Sequence, residues 1–543
     1  MKTHGVIAAS EPHTAEAGAK ILRRGGNAVD AIVAAKLAAC VTEMPLTSLG
    51  GGGACVFGSA KDGYKVLDFF ASTPGRGHLQ RPAGRGHLTS TGSEGIPSWS
   101  RPDLDFAPVT VDFGPTKQTY HVGKASVALP GELVGLLELH RRAGRLELRD
   151  VVEPAVGWAR RGFEISPQIA GIVGMLGPIA RRSEDVARTF FHDGRMPVAG
   201  DTISNPDLGD FLHELGNGNA DALVARYWDA LVANFGPQSG GLITREDVDA
   251  YAPVLREPLA VPFGGFTVLI NPPPAAGGGL IGTGLRIAEG LGLGREAFLS
   301  PAHQLRVASV LATMSDVRQS GYDARLHDDP QSIRDLVAGN GIPAWVEVAR
   351  ALGQERSLGN TTHISVLDAD GLAASMTTSN GEGCGHSLPG MGIHLNNFLG
   401  EEDINPHGFH CYHPGAWMST MMSPTIVVKG DEARFVLGTG GSNRIRSAIF
   451  QSLLNLLAYG RPLDESVNAP RCHVEGRKLW FEDADLALGT SDALLAAWPD
   501  AARFAGHSMF FGGVHSVGRN DAGALYGAGD RRRGGVVIVA DQP

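Results

Sequence analysis

The chain has few cysteines, no long apolar run and no excess of basic residues. Its five cysteines among 543 residues are scattered and form no C-x-x-C pair, which argues against a disulfide framework and fits a reducing compartment. A formal net charge of -10 disfavours nucleic acid and anionic membranes as partners. The one compact basic run is Arg531–Arg533, which we interpret as a solvated loop or a structural ion-pair site.

Membrane and export signals are also lacking. No apolar run reaches the roughly 18 residues that a membrane-spanning helix needs, and the best candidate, residues 31–41, contains Lys36. The residues before Glu11 contain no apolar segment typical of a signal peptide. The sequence therefore predicts no membrane partner and a cytoplasmic location.

Several familiar catalytic motifs do not occur. The sequence has no G-x-x-x-x-G-K-[ST], no G-x-S-x-G and no H-E-x-x-H, which argues against a P-loop, a hydrolase nucleophile elbow and a zincin helix. Zinc-type ligands cluster at His407, His410, Cys411 and His413, but their spacing matches no common zinc site. We interpret this cluster as a polar loop, and we predict no metal and no cofactor.

The residues that are present indicate a large core, since 43% are hydrophobic. Apolar spacing predicts helices over 14–44 (interrupted at 25–27), 131–163, 204–250, 301–321 and 443–459. Strands are predicted at 54–57, 364–367, 372–377, 425–428, 434–438 and 536–540, with a hairpin turn at 368–371. Residues 75–120, rich in Pro, Gly and Ser, are predicted to form a long surface excursion. Strands covered by helices favour a layered α+β sandwich.

The segment Gly359-Asn360-Thr361-Thr362-His363 opens the strand-rich part of the chain. Alone, it is an ordinary turn before a strand. With its surroundings, however, it resembles the start of the small subunit of γ-glutamyltranspeptidases. Other landmarks of that family occur in the same order, at Ala8–Ser10, 25–31, 48–53, 127–131, 271–274, 422–426 and 530–534.

The resemblance implies an N-terminal nucleophile hydrolase fold, a four-layer αββα sandwich. It also implies that the chain cuts itself between Asn360 and Thr361. Residues 1–360 would form a large subunit and 361–543 a small one, and the two would stay associated as one globular domain. The freed α-amine, with a reference pKa of about 7.7 to 8.0, can take the proton of the Thr361 hydroxyl. An ester with a γ-glutamyl group, or with another small-molecule acyl group, then forms on Thr361 and is resolved by water or by an acceptor amine.

Further site residues are implied by the resemblance alone. Ser379 stands where the family places a second threonine that bonds to the nucleophile, although this stretch is one residue shorter than usual. Asn380 and Glu401 match the residues that hold the substrate ammonium, and Thr420 matches a serine that contacts its carboxylate. Gly440 and Gly441 match the turn whose N–H groups form the oxyanion hole.

Three positions depart from the family pattern. Phe70 comes directly after Asp68-Phe69 where the family has its carboxylate-binding arginine, Phe398 stands where Gln or Glu is usual, and Met421 replaces a serine. The pocket is therefore predicted to be more apolar than in relatives and to bind glutathione less tightly. A compensating arginine could come from Arg76, Arg81 or Arg85. Two alternatives remain open: an acylase for cephalosporin-type or other amides, and an inactive member that serves as a scaffold.

Overall fold

The computed structural model describes residues 3–77, 103–112, 117–191, 194–349, 361–406, 408–476 and 478–541. The helices are α1 (Pro12–Arg23), α2 (Ala28–Thr42), α3 (Glu132–Ala143), α4 (Leu148–Arg161), α5 (Pro167–Met175), α6 (Gly177–Ala180), α7 (Glu184–Phe190), α8 (Pro206–Asn217), α9 (Ala220–Phe235), α10 (Arg245–Ala250), α11 (Ala276–Leu291), α12 (Pro301–Val317), α13 (Asp323–Asp328), α14 (Pro330–Ala338), α15 (Ile342–Ala349), α16 (Arg444–Leu457), α17 (Leu463–Asn468) and α18 (Thr490–Ala497). The strands are β1 (Thr3–Ala9), β2 (Gly52–Ser59), β3 (Gly63–Phe69), β4 (Ala107–Asp112), β5 (Lys117–Val122), β6 (Phe163–Glu164), β7 (Thr202–Ile203), β8 (Val254–Arg256), β9 (Leu259–Phe263), β10 (Phe266–Ile270), β11 (Thr362–Asp368), β12 (Ala373–Ser379), β13 (Ser387–Leu388), β14 (Ile393–His394), β15 (Thr425–Lys429), β16 (Glu432–Gly440), β17 (Cys472–Glu475), β18 (Lys478–Glu482), β19 (Ala502–Phe504), β20 (Gly513–Arg519), β21 (Leu525–Ala528) and β22 (Val536–Asp541).

Two large antiparallel sheets form the centre of the fold. One has the strand order β22-β1-β11-β12-β2-β3-β8, and the other β21-β20-β16-β15-β10-β9. In the first sheet β1 pairs with β11, with Val6 opposite Leu367, and with β22 on its other edge. Strands from before and after residue 360 are therefore mixed within a single sheet.

Three apolar clusters separate four layers. The smallest lies between the sheets and includes Val6, Val56 and Val436. A second packs α1–α4 and α8 against the outer face of the first sheet, and a third packs α11, α12 and α16 against the second sheet. This arrangement is the predicted four-layer αββα sandwich.

Helix α2 is buried around its whole circumference, as expected for a core helix without a polar face. It begins with a capping box between Asn27 and Asp30, and Glu43 comes after its last residue inside the core. The glycine run after it lets β2 lie close to β12, because a Cβ at Gly51 would be 2.2 Å from the Ser379 carbonyl oxygen. Both features bring polar groups to the N-terminal end of β11.

Most predicted elements are confirmed, including the break at 25–27, the 368–371 turn and the helix after Gly441. The described part of the 75–120 excursion differs, because β4 and β5 pair there as a hairpin. In the basic run, Arg531 is exposed whereas Arg532 is buried and ion-paired with Glu482, which confirms a structural ion-pair site. Within the described ranges, no helix is both long and apolar enough to cross a bilayer.

Candidate active site

A small cavity of about 30 Å³ lies at the start of β11. Its lining combines polar and apolar residues: Phe70, Thr361, Ser379, Phe398, Glu401, Ile404, Thr420, Met421, Met422, Ser442 and Ile445. Five of the predicted site residues, Phe70, Thr361, Ser379, Glu401 and Thr420, thus share one lining. Asn380, Gly440 and Gly441 lie beside the cavity but are not part of its lining, and Asn360 lies outside the described residues.

Thr361 is 4% exposed and directly precedes the first paired residue of β11, since Thr362 lies opposite Thr378 of β12. Its carbonyl oxygen accepts a hydrogen bond from Nη1 of Arg533 at 2.9 Å. The next hydroxyl, Thr362 Oγ1, donates to the buried carboxylate of Glu43 at 2.7 Å. The backbone of this threonine pair is therefore held from two sides.

The glycine turn lies against Thr361. Gly440 ends β16 opposite Gly513, and a Cβ at Gly440 would lie 1.6 Å from the Thr361 carbonyl oxygen, so no side chain fits there. Gly441 has a φ of 130° and Ser442 a φ of 48°. Left-handed backbone at a non-glycine residue is strained and clusters at functional sites. Ser442 Oγ donates to the Asp403 carboxylate at 2.5 Å, which holds this conformation.

Ser379 ends β12, the strand that pairs with β11. Its hydroxyl oxygen accepts the N–H of Gly381 at 3.0 Å, and its side chain faces the same cavity as Thr361. Thr420 Oγ1 accepts the N–H of Met422 at 3.1 Å, and the Thr420 carbonyl accepts the N–H of Ala276 at the start of α11 at 2.8 Å. Both hydroxyl groups are thus fixed by nearby backbone.

Three carboxyl groups meet near the cavity. Glu401 lines it, and Glu382 and Asp403 lie close enough to act on its titration. Burial, followed by repulsion from Glu382 and Asp403, raises the pKa of Glu401 well above its usual value. Burial raises the pKa of Glu382 to about 8. In the described part of the chain, Oε1 of Glu401 has no hydrogen-bond partner and lies against Gly381, so this carboxyl group lines the cavity with one oxygen unsatisfied.

Asn380 is completely buried, its Nδ2 donates to the Leu395 carbonyl at 3.3 Å, and its backbone N–H donates to the Leu46 carbonyl. Its Oδ1, the atom that could accept from an ammonium group, has no hydrogen-bond partner among the described residues, so its role in binding stays a prediction. A second amide, that of Asn397, borders the acidic residues, because its Oδ1 accepts the N–H of Glu382 at 2.9 Å.

Part of the cavity lining is apolar. The rings of Phe70 and Phe398 pack with centroids 4.7 Å apart at 44°. The preceding Asp68 pairs with Arg256 at 2.8 Å. Of the arginines considered as substitutes, Arg76 lies beside Gly415 and outside the cavity wall, and Arg81 and Arg85 fall outside the described residues. No lysine or arginine among the described residues lines the cavity.

The segment with zinc-type ligands lies apart from the cavity wall, and His407 is outside the described residues. His410 Nε2 shares a hydrogen bond with the Ala125 carbonyl at 2.9 Å, and Cys411 donates to the Phe409 carbonyl. The parts of the chain that the structure describes contain no cluster of three His, Cys, Asp or Glu side chains suited to a metal.

The sequence interpretation did not single out Glu43, Glu382 or Arg533. The sequence could have pointed to Glu43, because it is an acidic residue directly after a long apolar helix. Arg533 lay inside a recognised landmark, but nothing in the sequence indicates which of the three arginines reaches Thr361.

Comparisons with known proteins agree with this geometry. The family described as gamma-glutamyltranspeptidase matches residues 14–82 and 110–540. The acylase ACY 1 proenzyme of Pseudomonas sp. (strain V22) is 29% identical, covering 99% of this chain and 94% of its own. The glutathione hydrolase proenzyme of Escherichia coli (strain K12) is 26% identical, covering 97% and 90%.

Among solved structures, the cephalosporin acylase from Bacillus halodurans superposes with a TM-score of 0.78 at 22% identity, covering 99% of this chain and 96% of its own. This likeness shows that the two proteins share a fold. The family match spans nearly the whole chain and includes the segment that carries Thr361. The chain therefore belongs to the γ-glutamyltranspeptidase family and is a hydrolase with the N-terminal nucleophile fold.

Proposed function

We propose that the chain cuts itself between Asn360 and Thr361 and that Thr361 then acts as an N-terminal nucleophile on small amides. The hydroxyl oxygen attacks the amide carbonyl while its proton passes to the free α-amine of Thr361. Expulsion of the leaving amine gives an ester on Thr361. Water releases the acyl group as an acid, or an acceptor amine takes it as a new amide.

The neighbouring groups support this chemistry. The Gly440–Gly441 turn lies against Thr361, where N–H groups could stabilise the tetrahedral oxyanion. Ser379 faces the same cavity and is positioned to orient the Thr361 hydroxyl. Strands that precede residue 360 and strands that follow it pair within one sheet, which supports two subunits that stay associated.

The observation that carries the substrate proposal is the Phe70–Phe398 wall. A γ-glutamyl group carries an α-carboxylate, and burying a carboxylate without a charged partner is costly. The described residues provide apolar surface there and no cation. The favoured substrates are therefore amides with an apolar or aromatic acyl group, as an acylase would use.

Glu401 favours a second substrate class. Its side chain lines the cavity and its Oε1 has no hydrogen-bond partner among the described residues, so the carboxylate could bind an ammonium group once ionised. Glutamyl or other amino-acyl amides with a free amine are then also substrates, with efficiency that rises with pH as Glu401 loses its proton. The relatives include both a glutathione hydrolase and an acylase, so both classes belong in the test.

Intact-mass analysis of purified protein tests the first step. The wild type should give two fragments, the second beginning at Thr361, and Thr361→Ala should remain one chain. Thr361→Ser, which keeps a hydroxyl, should still be cut. An uncut wild type that hydrolyses amides would contradict the mechanism, and a cut or uncut protein that hydrolyses no amide would favour the scaffold alternative.

Substrate class is tested on the mature wild type with matched anilides: phenylacetyl, butyryl and γ-glutamyl p-nitroanilide. We expect kcat/KM to be highest for the uncharged acyl groups. Highest efficiency for the γ-glutamyl compound at neutral pH would show that residues other than Phe70 and Phe398 decide specificity.

A further inference from the structure

The guanidinium of Arg533 is the positive group in contact with the nucleophilic residue. Arg533 is 3% exposed, and its stem packs so tightly on Gly513 that a Cβ there would be 2.5 Å from its Cγ. Its Nη1 lies 2.9 Å from the Thr361 carbonyl oxygen. This side chain has one well-defined position, set by the turn Arg531–Arg533 that precedes β22.

Two acids near Arg533 are paired with other arginines. Asp530 pairs with Arg471 at 2.7 Å and with Arg532 at 3.2 Å, and Glu482 pairs with Arg532. Within the described ranges, no carboxylate lies within 4 Å of the Arg533 guanidinium. Its positive charge is therefore not cancelled by a direct ion pair, and Asp530, Glu43 and Glu382 attract it only from a longer distance.

We propose that Arg533 is a positioning residue for Thr361, which fixes the residue through its carbonyl and keeps its α-amine unprotonated near neutral pH after the cut. This rests on the proposed function, because an α-amine exists at Thr361 only in the cleaved chain. The proposal assigns the arginine two separable effects, one geometric and one electrostatic.

The geometric effect arises because the cut removes a constraint. Residue 361 loses its covalent link to residue 360, so its position depends on its own contacts and on those of residue 362. The Arg533 contact holds its carbonyl, and Glu43 holds the next side chain by accepting from Thr362 Oγ1 at 2.7 Å. Glu43 is fixed in turn by Thr14 Oγ1 at 2.8 Å and by Ser10.

The electrostatic effect depends on distance. The nitrogen and carbonyl oxygen of one residue are about 3 Å apart, which places the guanidinium within roughly 6 Å of the α-nitrogen. A like charge at this range disfavours the protonated amine and lowers its pKa by about one unit or more. A general base must be unprotonated to act, so this shift favours catalysis at neutral pH.

Several other titratable groups lie around Thr361 and Arg533. Burial raises the pKa of Glu43, of Glu401 and of Glu382, the last to about 8, which favours their neutral forms. Asp530 also attracts Arg533, but its carboxylate is paired with Arg471 and Arg532. Asp403 is the remaining acid of the cavity region, and its carboxylate accepts from Ser442 Oγ. Burial lowers the pKa of His363 and His515, which leaves both rings neutral. Arg444, on α16, and Arg533 both remain charged, because burial lowers each pKa only to about 10.

The test is the pH profile of kcat/KM for mature enzyme with an uncharged anilide. We expect the apparent pKa of the acidic limb of the wild-type profile to lie at least about one unit below 7.7, the pKa of a free α-amine. Arg533→Gln keeps hydrogen-bond donors and removes the charge, so it should raise the apparent pKa of the acidic limb by about one unit. Arg533→Lys keeps the charge but loses the planar guanidinium with its paired N–H donors. It should leave this apparent pKa unchanged and lower kcat with little change in KM. Arg531→Gln, the same substitution at the exposed neighbour, should match wild type.

Each outcome either supports or overturns the proposal. An acidic limb in the wild type at or above 7.7 overturns the electrostatic role whatever the variants do, including the case in which Arg533→Gln fails to mature. Equal limbs in wild type and a mature Arg533→Gln also overturn it. Active wild type with an unshifted limb leaves the proposed function intact, whereas an uncut and inactive wild type refutes the proposed function itself.

Discussion

Replacing Phe70 by arginine tests the apolar wall most directly. Phe70 is 2% exposed, and its ring faces both Phe398 and the cavity. Its backbone is held independently of the ring, because its N–H donates to Asp68 at 3.2 Å and its carbonyl accepts from Tyr251 at 2.5 Å. The side chain can therefore change while the chain path stays the same.

The expected magnitude comes from two terms that both raise the preference for the γ-glutamyl group. A guanidinium at this position would give the α-carboxylate of a γ-glutamyl group a charge-assisted partner, a gain of about 1.5 to 3 kcal/mol. An aromatic acyl group would lose ring contacts of about 0.5 to 1.5 kcal/mol. Together they amount to about 2 to 4.5 kcal/mol, so the ratio of kcat/KM for γ-glutamyl over phenylacetyl anilide should rise by about 30- to 2000-fold. Glu401 also faces this space and can pair with the new cation, which moves the expectation toward the lower end.

The assay compares both anilides on wild type, Phe70→Arg and Phe70→Met, each checked for self-cleavage by intact mass. Phe70→Met controls for loss of the ring without a new charge, and its ratio should rise only by the roughly 2- to 12-fold that the lost ring contacts account for. A processed, folded Phe70→Arg whose ratio equals that of Phe70→Met would refute the reasoning, since the missing cation would then not be what limits γ-glutamyl binding.

Two further predictions concern a hydroxyl and an ion pair. Ser379→Ala should slow both self-cleavage and turnover by roughly 5- to 150-fold, the effect of losing about 1 to 3 kcal/mol of hydrogen bonding, and unchanged time courses of both would show that another group orients Thr361. Glu475→Gln should lower stability at pH 7 by about 3 to 5 kcal/mol, because it leaves the buried Arg446 guanidinium without its partner at 2.8 Å. Although burial opposes it, Arg446 lowers the pKa of Glu475 to about 2, so the carboxylate contributes stability above about pH 4.5 that is lost as the pH falls toward 2. The urea unfolding midpoints of wild type and Glu475→Gln should therefore converge as the pH falls over this range. A difference between the midpoints that stays constant would contradict this account.

The sequence predicted the architecture through local signals. The break at 25–27, the Asp368–Gly371 turn and the strand-forming runs at 364–367 and 372–377 are all short-range features, and the structure confirms each. The strands of the two large sheets that the sequence did not indicate include β1, β10 and β20, and each of these three pairs with at least one strand that is distant in sequence. Thr3–Ala9, for example, is defined by its pairing with β11 and β22 more than 350 residues away.

The family resemblance predicted Thr361, Ser379 and Glu401, and the structure brings these three side chains to one cavity. The sequence was less informative where function depends on which way a buried side chain points. The amide nitrogen of Asn380, for example, contacts the Leu395 carbonyl. Arg533 is one of three consecutive arginines, and its packing against Gly513 and its contact with Thr361 distinguish it from its neighbours.

The position of β1 affects how the protein can refold before and after the cut. Strand β1 lies between β11 and β22, the first and last strands of the segment after residue 360. An intact precursor can form this three-strand arrangement within one molecule. Once the cut that we propose has occurred, a denatured protein has to find its second chain again, so recovery becomes a bimolecular, concentration-dependent reaction. Maturation would thus make folding a single event, and the lifetime of the mature enzyme would depend on how slowly it unfolds.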